Sequence, residues 1–167
     1  GGGGGGGGAG GPGGAETPWQ SIRVLQSSAS DIAARCLCAH PKLPLYLAGG
    51  DSVVQCWQFG QTIQGQGLHD TLRAQYKLPT GGRVANLRIS PDCEWFSALD
   101  QAGSLCIWRF QSGSDMPLPF ARLQCHTKRG SDLCFVNSSV VLATVGSSAG
   151  GGSGGGPANL CLWDVLL

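Results

Sequence analysis

Charge is what this sequence has least of. Lys, Arg, Asp and Glu make up 13% of its 167 residues, against about 25% in an ordinary soluble domain. The 11 basic and 10 acidic side chains leave a net charge of +1. A balance so near zero carries no footprint of a nucleic-acid binder or of a membrane-surface protein. With so little charge, the ordered part must satisfy its polarity in backbone pairing or present apolar surface to something else. No run of 18 apolar residues occurs, so no membrane insertion is expected. No hydrophobic signal region opens the chain, and its first residue is glycine rather than methionine. That opening is what a piece of something longer would show.

What is present is cysteine and glycine. Eight cysteines form an even count, which invites a disulfide framework. Without a secretory signal, however, the expected compartment is the reducing cytosol. Cys38, Cys56, Cys93, Cys106, Cys125, Cys134 and Cys161 fall in or beside predicted strands, where a thiol behaves as a small hydrophobe, so reduced thiols are expected. Of the 29 glycines, 12 lie in positions 1–14 and 7 in 146–156. Residues 1–16 bury too little to offset chain entropy and are expected to be disordered. The rest, 17–167, is expected to be one folded region interrupted by a glycine-rich insert at 146–157.

The most complete unit runs from Arg83 to Phe110. An apolar run at Val84, Leu87 and Ile89 meets a turn at Ser90–Cys93. A second run at Trp95–Leu99 meets a turn at Asp100–Gly103. Leu105 and Ile107 then alternate with Ser104 and Cys106 up to Trp108. Short strands between tight turns predict an antiparallel meander, with Leu105 and Ile107 on one face. The pattern recurs on either side. Ser52–Phe59 ends on Trp57 and Asn159–Leu166 on Trp163, so Val54, Cys56, Leu160 and Leu162 take the places of Leu105 and Ile107 as inward positions. Further strands are expected at 20–25, 31–38, 43–48, 73–78, 120–125, 132–136 and 140–145, giving units of about 31–79, 83–125 and 126–167. Three tryptophans could also mark an ordinary β-sandwich, but matched alternation and turn order favour a repeat. Four strands per unit at this spacing predict propeller blades. The expected fold is therefore all-β: a partial, open β-propeller of about three blades, each a four-stranded antiparallel sheet, short of the 4–8 blades that close a ring.

These residues resemble the WD-repeat family, and the last strand carries its dipeptide, Trp163-Asp164. The resemblance implies a hydrogen-bonded set of loop His, strand Ser or Thr, turn Asp and Trp. The third unit offers His126, Thr144 and Trp163, with the turn Asp missing. The first offers Trp57 and Asp51 but has Ala48 at the Ser/Thr place; the second offers Trp108 and Asp100 but has Ala98. The segments at 39–50, 81–90, 124–146 and 159–164 are in turn similar to the C-terminal propeller of the DmX-like, or rabconnectin, proteins, over residues 18–164. That resemblance implies a non-catalytic scaffold of the RAVE type, which supports V-ATPase assembly and organelle acidification. Its expected partners are proteins, V-ATPase subunits and RAVE-type components, with no nucleic acid. Its expected location is cytoplasmic, peripheral on endosomal or vacuolar membranes within a complex.

Other chemistry is weakly indicated. Cys36, Cys38 and His40 alternate onto one side, but no fourth metal ligand accompanies them, so neither metal nor cofactor is expected. Cys125 and His126 are adjacent in an extended chain and point apart, so they cannot act as nucleophile and base. The glycine tracts lack the Lys-Ser/Thr of a phosphate loop. No catalytic residue is expected. A docking module of an unrelated pathway and a small Cys/His metal protein or enzyme stand as the alternatives.

Overall fold

A computed structural model describes residues 33–60, 70–110, 118–137, 141–148 and 160–164. The segment 1–16, the strand expected at 20–25 and nearly all of the glycine insert lie outside the described residues. The strands are β1 (Cys36–Ala39), β2 (Leu45–Gly49), β3 (Val53–Gln58), β4 (Thr71–Lys77), β5 (Val84–Ile89), β6 (Trp95–Asp100), β7 (Ser104–Arg109), β8 (Ala121–Gln124), β9 (Arg129–Phe135), β10 (Val141–Ser147) and β11 (Leu160–Asp164). Among the described residues there is no helix.

Every pairing is antiparallel between sequence neighbours, so the strands form three meander sheets, β1–β4, β5–β8 and β9–β11. Local chemistry sets the turns. Between β5 and β6, the Ser90 hydroxyl accepts from Trp95 N at 2.9 Å, and Asp92 accepts from Glu94 N at 2.9 Å. Between β6 and β7, Gly103 adopts a φ of 83°, and a Cβ there would lie 2.1 Å from the His126 carbonyl oxygen. Only glycine allows that turn to sit so close to the next sheet.

The sheets meet along their first strands, with β5 beside β1 on one side and β9 on the other. All three therefore start at one end of the molecule, the leading end, where the β2–β3 turn of one blade bridges the next blade at Asp51 and Arg83. The opposite, trailing end carries the β1–β2 and β5–β6 turns. This is an open arc of propeller blades.

Two apolar layers hold the arc. Leu47, Val54, Tyr76 and Leu78 of the first blade meet Leu87, Phe96 and Trp108 of the second. Phe96 and Trp108 stack at 5.1 Å with planes 9° apart, and Tyr76 meets both edge-on. On the other face, Leu99, Leu105 and Ile107 meet Leu133 and Leu142 of the third blade. Each such fully buried side chain contributes about 1.5–3 kcal/mol. The period-two alternation of β7 thus serves both neighbours at once: Cys106 and Trp108 face one way, Leu105 and Ile107 the other.

Three expectations need correction. Leu160 and Leu162 share a face with Ala143 and Val145, yet they are 62% and 67% exposed, because no further described sheet covers that face. The strand expected from 31 begins at Cys36, with 33–35 outside it. Finally, β9 begins at Arg129, three residues ahead of the strand expected from 132, and β10 runs on to Ser147, past the strand expected at 140–145. A bulge after Val145 lets Gly146 and Ser147 pair with Gly130 and Arg129.

Candidate functional site

The tryptophans that end β3, β7 and β11 sit in three different polar settings. In the third blade, the Trp163 indole N–H donates to Thr144 Oγ1 at 2.9 Å, and Thr144 Oγ1 lies 3.1 Å from His126 Nε2. Thr144 and His126 are fully buried. An indole can only donate, so Thr144 accepts from Trp163, and the direction of its bond with His126 Nε2 follows the imidazole tautomer. The other ring nitrogen, Nδ1, is buried without a hydrogen-bond partner among the described residues. Gly146 occupies the register position that Asp100 holds in the second blade. A Cβ there would lie 2.5 Å from His126 Cγ, so the ring takes the space of the missing carboxylate. Burial holds the His126 pKa below its ordinary value, which keeps the ring neutral. Asp164 closes β11 opposite Val141, on the exposed surface.

The second blade keeps the carboxylate and loses the rest. Asp100 is buried, accepts from Thr80 Oγ1 at 2.7 Å and from Ser104 N at 2.8 Å. Thr80 lies four residues before Val84, as His126 lies four before Gly130, so a hydroxyl stands where the third blade has imidazole. Ala98 offers no oxygen, and the Trp108 indole N–H is buried without a partner. In the first blade, Ala48 again offers none, and Trp57 instead donates to Gln55 Oε1 at 3.0 Å. Gln55 lies two residues earlier on the same strand and is buried. Register places Gly50, not Asp51, at the position that Asp100 holds in the second blade, because this turn is one residue shorter. Asp51 turns outward to Arg35 at 2.9 Å and Arg83 at 3.5 Å, and these cations hold its pKa low. Sequence reading missed Gln55 and Thr80. The signal for Thr80 was its spacing ahead of β5; Gln55 showed none.

The thiols are poorly placed for chemistry. Burial pushes Cys125 up to about 12 and Cys106 up to about 11, and it also raises Cys36, Cys38 and Cys56. A thiol held protonated at neutral pH is neither a nucleophile nor a ready metal ligand. Cys36 and Cys38 do share a face, but it packs on the layer between the first two blades. His40 Nδ1 accepts the backbone N–H groups of Lys42 and Leu43 at 3.1 and 3.0 Å, and its ring meets Phe110 edge-on. Among the described residues, no three His, Cys, Asp or Glu side chains gather to hold a metal. All eight cysteines are free. A cleft of about 600 Å³ opens at the trailing end, lined by Leu43, Pro44, Leu45, Ala74, Tyr76 and Phe110 among others.

Comparison with known proteins agrees with this geometry. No family model matches the chain. Over 140 aligned residues, covering 80% of the chain, it is 30% identical to DmX-like protein 1 of Mus musculus. It is 31% identical to DmX-like protein 1 of Homo sapiens over the same length. The chain spans about 4% of the length of these relatives. In fold, it is similar to the C-terminal WD40 domain of Sif2, with a TM-score of 0.63 at 15% identity, covering 81% of this chain and 35% of that one. The Myceliophteria thermophila Cps50 (Swd1) β-propeller domain gives a TM-score of 0.57 at 13% identity, covering 77% of this chain and 37% of that one. The chain is an open WD-repeat β-propeller, similar in sequence to DmX-like protein 1.

Proposed function

We propose that this chain is a non-catalytic docking part of a scaffold that supports V-ATPase assembly, and through it organelle acidification. The observation that carries the reading is the sequence similarity to DmX-like protein 1 over 80% of the chain. The polar networks agree with a docking role. They are buried and spent on holding strands together, and burial holds the thiols of Cys36, Cys38, Cys56, Cys106 and Cys125 protonated. On this reading the partners are V-ATPase subunits and RAVE-type components. The chain then works in the cytoplasm, peripheral to endosomal or vacuolar membranes within that complex. A pull-down with the full-length protein that contains these blades should recover V-ATPase subunits, and its loss should raise the pH of acidic organelles. If neither happens, the V-ATPase reading fails, and a docking module of another pathway takes its place.

A further inference from the structure

The charge of this nearly neutral chain is not shared evenly between its two ends. Arg35, Lys77, Arg83, Lys128 and Arg129 are exposed at the leading end, against Asp51 as the one exposed carboxylate there among the described residues. The second carboxylate of that end, Asp100, is buried against Thr80 and Ser104 N. At the trailing end, Lys42, Arg73 and Arg109 are matched by Asp70, Asp92, Glu94 and Asp164. Among the described residues, the excess of positive charge is therefore confined to one end of the arc.

Asp51 organises this excess instead of cancelling it. One oxygen, Oδ1, sits 2.9 Å from Arg35 Nε and 3.5 Å from Arg83 Nε. Each guanidinium is thus held by its Nε edge. The terminal N–H groups of both make no ion pair or hydrogen bond among the described residues. The backbone bridge between Asp51 and Arg83 fixes the two arginines relative to one another across the first and second blades. Two guanidinium forks held side by side match carboxylates bidentately, with little side-chain entropy left to lose. Lys128 and Arg129 add a second cationic pair at the head of the third blade, without ion-pair partners among the described residues. No aromatic side chain is exposed among the described leading-end turns, and no large apolar one either. The described turns of that end therefore offer no base-stacking platform.

We propose that the leading end is a docking surface for an acidic, Asp/Glu-rich protein segment, clamped by Arg35 and Arg83 and held further along by Lys128 and Arg129. This surface rests on the docking reading above and deepens it by naming where and what the module grips.

Fluorescence anisotropy of the full chain with a labelled Glu/Ser peptide tests it, with the matching Gln/Ser peptide as control. The Glu peptide should bind, the Gln peptide should not. Affinity should fall about tenfold or more between about 50 and about 500 mM salt, as screening shortens the reach of exposed charges. Arg35→Glu with Arg83→Glu should cost more than about tenfold. Lys128→Gln with Arg129→Gln should weaken binding while leaving both ion pairs of Asp51 intact, which guards against misfolding of the first variant. Lys42→Glu, at the trailing end, should change nothing. Equal affinity for the two peptides, or indifference to both leading-end variants, overturns the assignment. So does tighter binding of a single-stranded oligonucleotide or of phosphatidylserine vesicles. Recovery of V-ATPase subunits without affinity for the Glu peptide sinks this surface alone. Affinity for the peptide without that recovery sinks the V-ATPase partner alone.

Discussion

Thr144 stands between an indole that can only donate and an imidazole whose Nε2 lies within hydrogen-bond distance of the same hydroxyl. Replacing it by Val keeps the shape and orphans both neighbours. Thr144→Val should therefore cost about 1–3 kcal/mol in urea unfolding, and Thr144→Ser should recover most of it. An unchanged midpoint for the Val variant would show that the network holds nothing. The second blade offers the reverse experiment. Ala98 occupies the position of Thr144, and the Trp108 N–H beside it has no partner. Ala98→Ser should raise stability by about 0.5–1.5 kcal/mol if the hydroxyl finds that N–H; a loss of stability would mean the site is too tight for one oxygen. His126 supplies a pH dependence. Its folded pKa is depressed, so below the ordinary 6.5 the unfolded chain takes up a proton that the folded chain refuses. Stability is then fully present above that value and falls as pH drops through it. His40, lowered by burial and by Lys42, works in the same direction. Unfolding measured from about pH 7.5 down to about pH 5 should show this slope, and His126→Asn should flatten it. An unaltered slope in that variant would place the proton uptake elsewhere.

At the scale of the element, β7 carries a blade interface on each of its two faces. Leu105→Ala opens a cavity in the second layer and should cost about 2–5 kcal/mol, whereas Leu160→Ala, at the equivalent position of β11, should stay within about 0.5 kcal/mol. Equal costs would mean that the β11 face is covered in solution. This contrast also marks what the sequence could tell. Alternation before each tryptophan gave the strand, its register and the face turned toward a neighbour, since a period of two leaves no freedom. It gave Leu160 and Leu162 the correct face and the wrong burial, because a repeat says which side looks at the next blade without supplying one. The strand order was legible for the same reason, every pairing being between sequence neighbours. The exchange of Thr80 for imidazole and of Gln55 for a hydroxyl was hidden. Those pairings are set by register across turns of unequal length, which no spacing in one chain declares. Gly146 was read as the first residue of a spacer. It is instead a strand residue whose missing side chain admits the His126 ring.

For the whole molecule, the arc leaves Leu160, Leu162 and Val145 on an open sheet face, 62%, 67% and 41% exposed. An apolar face beside a free edge strand invites association. The isolated chain should sediment as oligomers, and Leu160→Ser with Leu162→Ser should shift it toward monomer. A clean monomer of the unaltered chain with a sharp cooperative melt would refute this. Blades that touch only their neighbours also share stability unevenly, since the middle one is held on two sides and the outer ones on one. Trp108 sits at the heart of that middle blade, fully buried, stacked on Phe96 and without a hydrogen bond to its indole, while Trp57, Trp95 and Trp163 are only half-buried. Light emitted by an indole that meets neither water nor a polar partner should lie at the blue edge of the protein's fluorescence. The colour of that emission is then a built-in optical gauge of whether the first two blades are still pressed together.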